Sequence, residues 1–147
     1  MINLSTSSQF LDLGVREYEE VWNFQKKLHF LRYNDLIEDT FIFVEHSPGV
    51  YTIGRGANPE NYKGLNPILI ERGGDVTYHG LAINYGEASL EGFMKIRPCG
   101  LDSEVMGYLG IEKNKIMDSI LDILQSSYRK MERKNEEYFI DILKKDL

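Results

Sequence analysis

Covalent chemistry has one obvious candidate in this chain: the only cysteine, Cys99, held between Pro98 and Gly100 in the segment KIRPCG. It lies nineteen positions after the end of the run ERGGDVTYHG, Glu71 to Gly80, which contains the adjacent glycines Gly73 and Gly74. A proline-cysteine-glycine turn is constrained, so its thiol is expected to face a cleft rather than pack in a core. A glycine pair brings backbone N–H groups close to a ligand, because no Cβ intervenes and positive φ is open to it. Thiol and glycine pair together suggest acyl handling, in which the sulfur accepts an acyl group and backbone N–H groups hold the oxyanion.

Thioester exchange needs a thiolate. A cysteine of unperturbed pKa is only about 3% ionised at pH 7, so a neighbouring base or cation is required. Lys95 lies four residues before Cys99, roughly 13 Å away along an extended strand and well beyond an ion-pair distance of about 4 Å. His79 is the better candidate, since an imidazole serves as a base near neutral pH and its loop is expected to border the acyl site. Ile53, Val76, Tyr78 and Leu81 are candidate walls for an apolar tail, and Arg55 and Arg72 are local positive spots for an acidic partner.

Those residues must be positioned by a fold that 147 residues, 42% of them hydrophobic, can build as one globular domain, 1–147. A net charge of −6 argues against a general nucleic-acid binder. No apolar run approaches the length of a membrane span, about 20 residues, so no membrane association is expected. The opening MINLSTSSQF has neither the basic nor the apolar stretch of a leader, so the cytoplasm is the expected compartment. One cysteine and three scattered histidines offer no metal-ligand spacing, and no metal or other cofactor is expected.

The hydrophobic pattern predicts an alternation of helix and strand. Tyr18, Val21, Trp22, Leu28 and Leu31 recur at helical spacing within Val15 to Tyr33. Thr40 to Glu45 and Val50 to Gly54 read as an adjacent strand pair across the turn HSPG, which His46 would help complete. PILIE from Pro67, LAINY from Leu81 and FMKIRP up to Pro98 read as short strands joined by glycine turns. The tail from Lys113 returns to helical spacing, and its charge run RKMERKNEE is expected to be a solvated helix end. His29 on the first helix is expected to be structural or exposed, and the Tyr18–Trp22 face to be core. The class is mixed α and β, an α/β (α+β) fold with helices packed on one mixed sheet.

Several segments in order resemble the lipoyl(octanoyl)transferase family. They are DLG at Asp12–Gly14, Trp22 and Gln25 on the first helix, EHSPGVYTIGRGAN at Glu45–Asn58, ERGGDVTYHG at Glu71–Gly80, GLAIN at Gly80–Asn84, and the proline-cysteine-glycine motif. The resemblance implies the fold of biotin and lipoate ligases. It also implies transfer of an octanoyl group from octanoyl-acyl carrier protein to a lysine of lipoyl domains. The acceptors implied are the 2-oxoacid dehydrogenases and the glycine cleavage H protein. Under it Cys99 is catalytic, and Arg72, Gly73, Gly74, Asp75, Val76, Thr77, Tyr78, His79, Gly80, Leu81 and Ala82 bind substrate. An octanoyl tail would be recognised by apolar burial worth about 0.8 kcal/mol per methylene, roughly 5 kcal/mol in all.

One departure from the family pattern bears on activity. Family members carry two histidine-glycine pairs separated by a helix and further strands, whereas here they are fused at His79–Gly80. This predicts an internal deletion of several tens of residues, which takes with it the family's lysine-isoleucine-alanine segment and its catalytic lysine. Three readings follow: an active transferase, a catalytically impaired relative that binds acyl chains or carrier protein, and an ATP-dependent lipoate or biotin ligase relative. The cysteine motif and the lack of a ligase-type lysine segment count against the third.

Overall fold

A computed structural model describes residues 7–46, 49–71, 76–78, 95 and 110–146, the strand at 76–78 through its backbone. It divides into two compact units, residues 1–47 with 116–147 and residues 48–115. Strands and helices combine in the expected mixed class. The strands form two sheets among the described residues rather than the single sheet anticipated.

The first unit is built on β1 (Ser7–Arg16), the middle strand of a parallel sheet ordered β2-β1-β6, with β2 at Asp39–His46 and β6 at Lys130–Arg133. Parallel neighbours need a crossover, and helix α1 (Tyr18–Tyr33) supplies the one between β1 and β2. Its core stripe is Val21, Leu28 and Leu31, spaced to lie on one side of the helix and packed with Leu11, Leu13, Ile37 and Phe139. Trp22 and Tyr18 are half-buried rather than core: the Lys26 ammonium sits 3.6 Å from the Trp22 ring centre, and Tyr18 turns to His46. Acidic Glu19 and Glu20 open the helix and Arg32 closes it, each with the sign the helix dipole favours. Asp35 takes a left-handed φ of 56° beyond the helix end, and the Leu36 N–H returns 3.0 Å to the Leu31 carbonyl. Arg32 then ties the helix end to β2 through Asp39 at 2.8 Å, and Asp39 also accepts the Tyr128 hydroxyl at 2.9 Å.

The DLG segment is a bulge in β1. The register to β2 shifts between Asp12 and Val15, Gly14 has φ +69°, and its N–H donates 2.9 Å to the Asp12 carboxylate. A Cβ on Gly14 would meet nothing within 4 Å, so backbone conformation, not crowding, is what calls for glycine there.

Two expectations for the tail are corrected. The segment from Lys113 is not a continuous helix with a solvated end: α2 spans Lys113–Gln125, β6 follows, and α3 spans Glu136–Asp146. The charge run holds a sheet strand because its backbone pairs with β1, the Lys134 N–H reaching the Phe10 carbonyl at 2.8 Å. The helix after it seals the core with Phe139, which is fully buried and meets Phe24 edge-on at 6.3 Å.

The second unit carries a sheet ordered β4-β3-β5, with β3 at Tyr51–Ile53, β4 at Ile68–Leu69 and β5 at Val76–Tyr78. The strands expected as a pair, β2 and β3, therefore lie in different sheets. Each finds a better ladder elsewhere, β2 along β1 and β3 between β4 and β5. A 3-10 turn, Pro59–Tyr62, is capped by the Asn58 side chain accepting from the Glu60 N–H at 3.1 Å. Among the described residues no helix is long and apolar enough to cross a membrane.

Candidate functional site

The short sheet of the second unit brings residues that flank the two glycine-bearing segments to one end. β3 runs parallel to β4, with Ile53 beside Leu69, and antiparallel to β5, with Ile53 opposite Val76. The chain therefore leaves the sheet after Leu69 and rejoins it at Val76, both at the Ile53 end of β3. Two strand spacings, roughly 10 Å, separate those points across β3. The same end of β3 launches Gly54, Arg55 and Gly56, where the Ala57 N–H closes a turn on the Gly54 carbonyl at 3.2 Å. Parallel pairing on one side and antiparallel pairing on the other is what sends both connections to one end. Ile70 reinforces it by donating 3.0 Å to the Ile53 carbonyl beyond the last paired residue.

At that end Gly54 is buried while Arg55 and Gly56 are exposed, so the turn presents its guanidinium outward. Thr52, in the middle of β3, is fully buried and stands across from Thr77 in the register. Ile53 and Val76, both candidate walls for an apolar tail, are direct partners, as are Tyr51 and Tyr78. Arg72, Gly73, Gly74, Asp75, His79, Gly80, Leu81, Ala82 and Cys99 lie outside the described residues. Lys95 is described and exposed, and it sits in a turn rather than on the extended strand expected for FMKIRP. Among the described residues no three His, Cys, Asp or Glu side chains gather as a metal site.

The histidine of EHSPGVYTIGRGAN has a place in the first unit. His46 is the last residue of β2, not part of a turn, with its Nδ1 3.4 Å from the Arg16 carbonyl and its ring 5.1 Å from that of Tyr18, edge-on. Burial pushes its pKa below 6.5, and the Arg16 carbonyl opposes that shift. Arg16 in turn is held charged by Glu136, which takes its guanidinium at 2.9 Å, and by Glu20 at 3.0 Å. Sequence reasoning passed over Arg16, Glu20 and Glu136, because 120 residues separate Arg16 from Glu136 and no local spacing marks them. His29 is exposed on α1.

No family model matches the chain. Among curated proteins it is similar to the octanoyltransferase of Dictyoglomus turgidum, 37% identical over 117 residues that cover 74% of this chain and 44% of that one. The octanoyltransferase of Syntrophobacter fumaroxidans is 36% identical over 118 residues, 68% of this chain and 50% of its own. That of Pelobacter propionicus is 33% identical over 122 residues, with 80% and 54% covered. The chain thus spans about half the length of the curated relatives it matches.

Proposed function

The chain belongs to the octanoyltransferase family, and from that premise we propose that it is an acyltransferase that moves an octanoyl group from octanoyl-acyl carrier protein to a lysine of a lipoyl domain through a thioester on Cys99. Similarity to octanoyltransferases over two thirds to four fifths of this chain is the observation that carries the reading.

Chemistry orders the steps. The Cys99 thiolate attacks the carbonyl carbon of the carrier thioester, N–H groups of the Gly73–Gly74 segment hold the oxyanion, and the carrier thiol leaves with a proton. The acceptor lysine, as free amine, then attacks the acyl-cysteine and gives its proton to His79, forming the amide and returning the sulfur as thiolate. One thioester replaces another before the amide forms, so no nucleotide is consumed. His79 is the proposed base for the thiol, and Ile53, Val76, Tyr78 and Leu81 the proposed wall of the acyl channel. Arg55 and Arg72 are the proposed contacts for an acidic carrier protein. The pairing of Ile53 with Val76, and the departure of both glycine segments from the same end of β3, support a site at that end.

The decisive experiment incubates the full chain with octanoyl-acyl carrier protein and a lipoyl domain, and follows octanoylation of the acceptor lysine by intact mass. Turnover supports the proposal. A second reading, a relative that takes up the acyl group without passing it on, is favoured by the fusion of the two histidine-glycine pairs at His79–Gly80, which leaves no residue matching the family's catalytic lysine. It predicts that the acceptor stays unmodified. A requirement for ATP would replace both readings with a ligase.

A further inference from the structure

A groove runs along the first unit between the outer faces of α1 and α3, with a cavity of about 610 Å³, within the size range of small-ligand pockets. Its two ends differ in chemistry. At one end Arg16 joins Glu20, in the first turn of α1, to Glu136, in the first turn of α3, so that both carboxylates are already taken. Seven residues on along α1 stands Lys27, and eight residues on along α3 stands Lys144; both line the same groove and both are exposed. The two helices therefore run in the same direction away from the arginine, and the groove is roughly 10–12 Å long. Among the described residues neither lysine is ion-paired, whereas Lys26, Lys130 and Lys134 are each engaged with a ring or a carboxylate. Between the ends the lining is mostly apolar, with Leu13 and Val21 at the base and Phe24, Ile140 and Leu143 along the sides, and Asn23 is its uncharged polar member. Phe24 is held in place by its edge-on contact with the buried Phe139.

We propose that this groove binds a small amphipathic anion, a straight-chain carboxylate with its tail along Phe24, Ile140 and Leu143 and its carboxylate between Lys27 and Lys144. Charge complementarity selects the orientation, since among the described residues the only unpaired charges lining the groove are the two ammonium groups at one end. The length selects a tail of roughly eight to ten carbons, enough to reach the ion-paired end without leaving water-exposed methylenes. The site shares no residue with those proposed for acyl transfer and does not depend on that reading.

Decanoate tests it by titration of the full chain, followed through backbone amide signals. Saturable shifts centred on residues 20–27 and 136–144 are expected, unchanged in Cys99→Ser. Affinity should fall about tenfold in the double variant Lys27→Glu/Lys144→Glu, whose exposed substitutions leave the core spectrum intact. Decanol, with the same tail and no charge, should bind the unaltered protein about tenfold more weakly, a comparison that needs no variant. Equal affinity in the double variant, equal affinity for decanol, shifts confined to other residues, or no saturable shift would each overturn the proposal. Concentration-dependent broadening of the same signals without decanoate would mark the groove as a contact between copies and overturn it too.

Discussion

His46 closes β2 with its ring half-buried against Tyr18 and the backbone of Arg16, and burial holds its pKa below 6.5. In the unfolded chain the imidazole takes a proton near pH 6.5, whereas in the fold it resists until lower pH. Its contribution is therefore fully present above 6.5 and is lost as pH falls through the folded value. Urea unfolding at pH 7.5 and at pH 5.5 should show the protein less stable at the lower pH, and His46→Asn should lose part of that difference; an identical pH dependence in the variant would refute the linkage. Phe139 makes a separate prediction. It is fully buried against Phe24 and the α1 stripe, so Phe139→Ala should cost about 3–5 kcal/mol, read from the denaturation midpoint. A loss below 1 kcal/mol would mean that α3 does not seal the core. At this scale the sequence showed which residues could do chemistry but not how the fold uses the flanking ones. Asp12 and Gly14 stand out as part of a motif, and only the structure shows them forming a bulge, with a carboxylate holding a left-handed glycine.

Elements were legible where the hydrophobic period was clean and hidden where it was not. The α1 stripe of Val21, Leu28 and Leu31 and the apolar run of β2 announce themselves. β1 does not, although it is the central strand. Its deeply buried residues include Ser8 and Gln9, with Gln9 satisfied by Thr40 at 3.1 Å, and its bulge breaks the alternation in the second half. β6 is hidden for another reason: Lys130, Glu132 and Arg133 have a surface composition, and backbone pairing at the edge of a sheet leaves such side chains in water. Its ladder makes a sharp prediction. The Lys134 N–H points to β1, so with period-two alternation the Glu132 N–H does as well. Glu132→Pro should then cost about 2–3 kcal/mol, whereas Glu132→Ala, which removes only exposed ion pairs to Lys130 and Lys134, should cost under about 1 kcal/mol. Equal costs would place the ladder bonds on the odd residues instead.

For the molecule as a whole, membership of the octanoyltransferase family was legible from the order of short motifs; where the structure describes them, DLG is a strand bulge and EHSPGVYTIGRGAN begins at a strand end. The division into two compact units was not legible, since no change of composition marks residues 48 and 115. Nor was the grouping of β3, β4 and β5 apart from β2, because the two runs around HSPG look alike as strands while their partners lie far along the chain. The proposed transfer rests on Cys99 becoming acylated. The most direct measurement is the intact mass of the chain after incubation with octanoyl-acyl carrier protein alone. A single octanoyl adduct, removed by neutral hydroxylamine as a thioester would be and missing from Cys99→Ser, is the predicted result; an unmodified chain, or an adduct that survives Cys99→Ser, would contradict it.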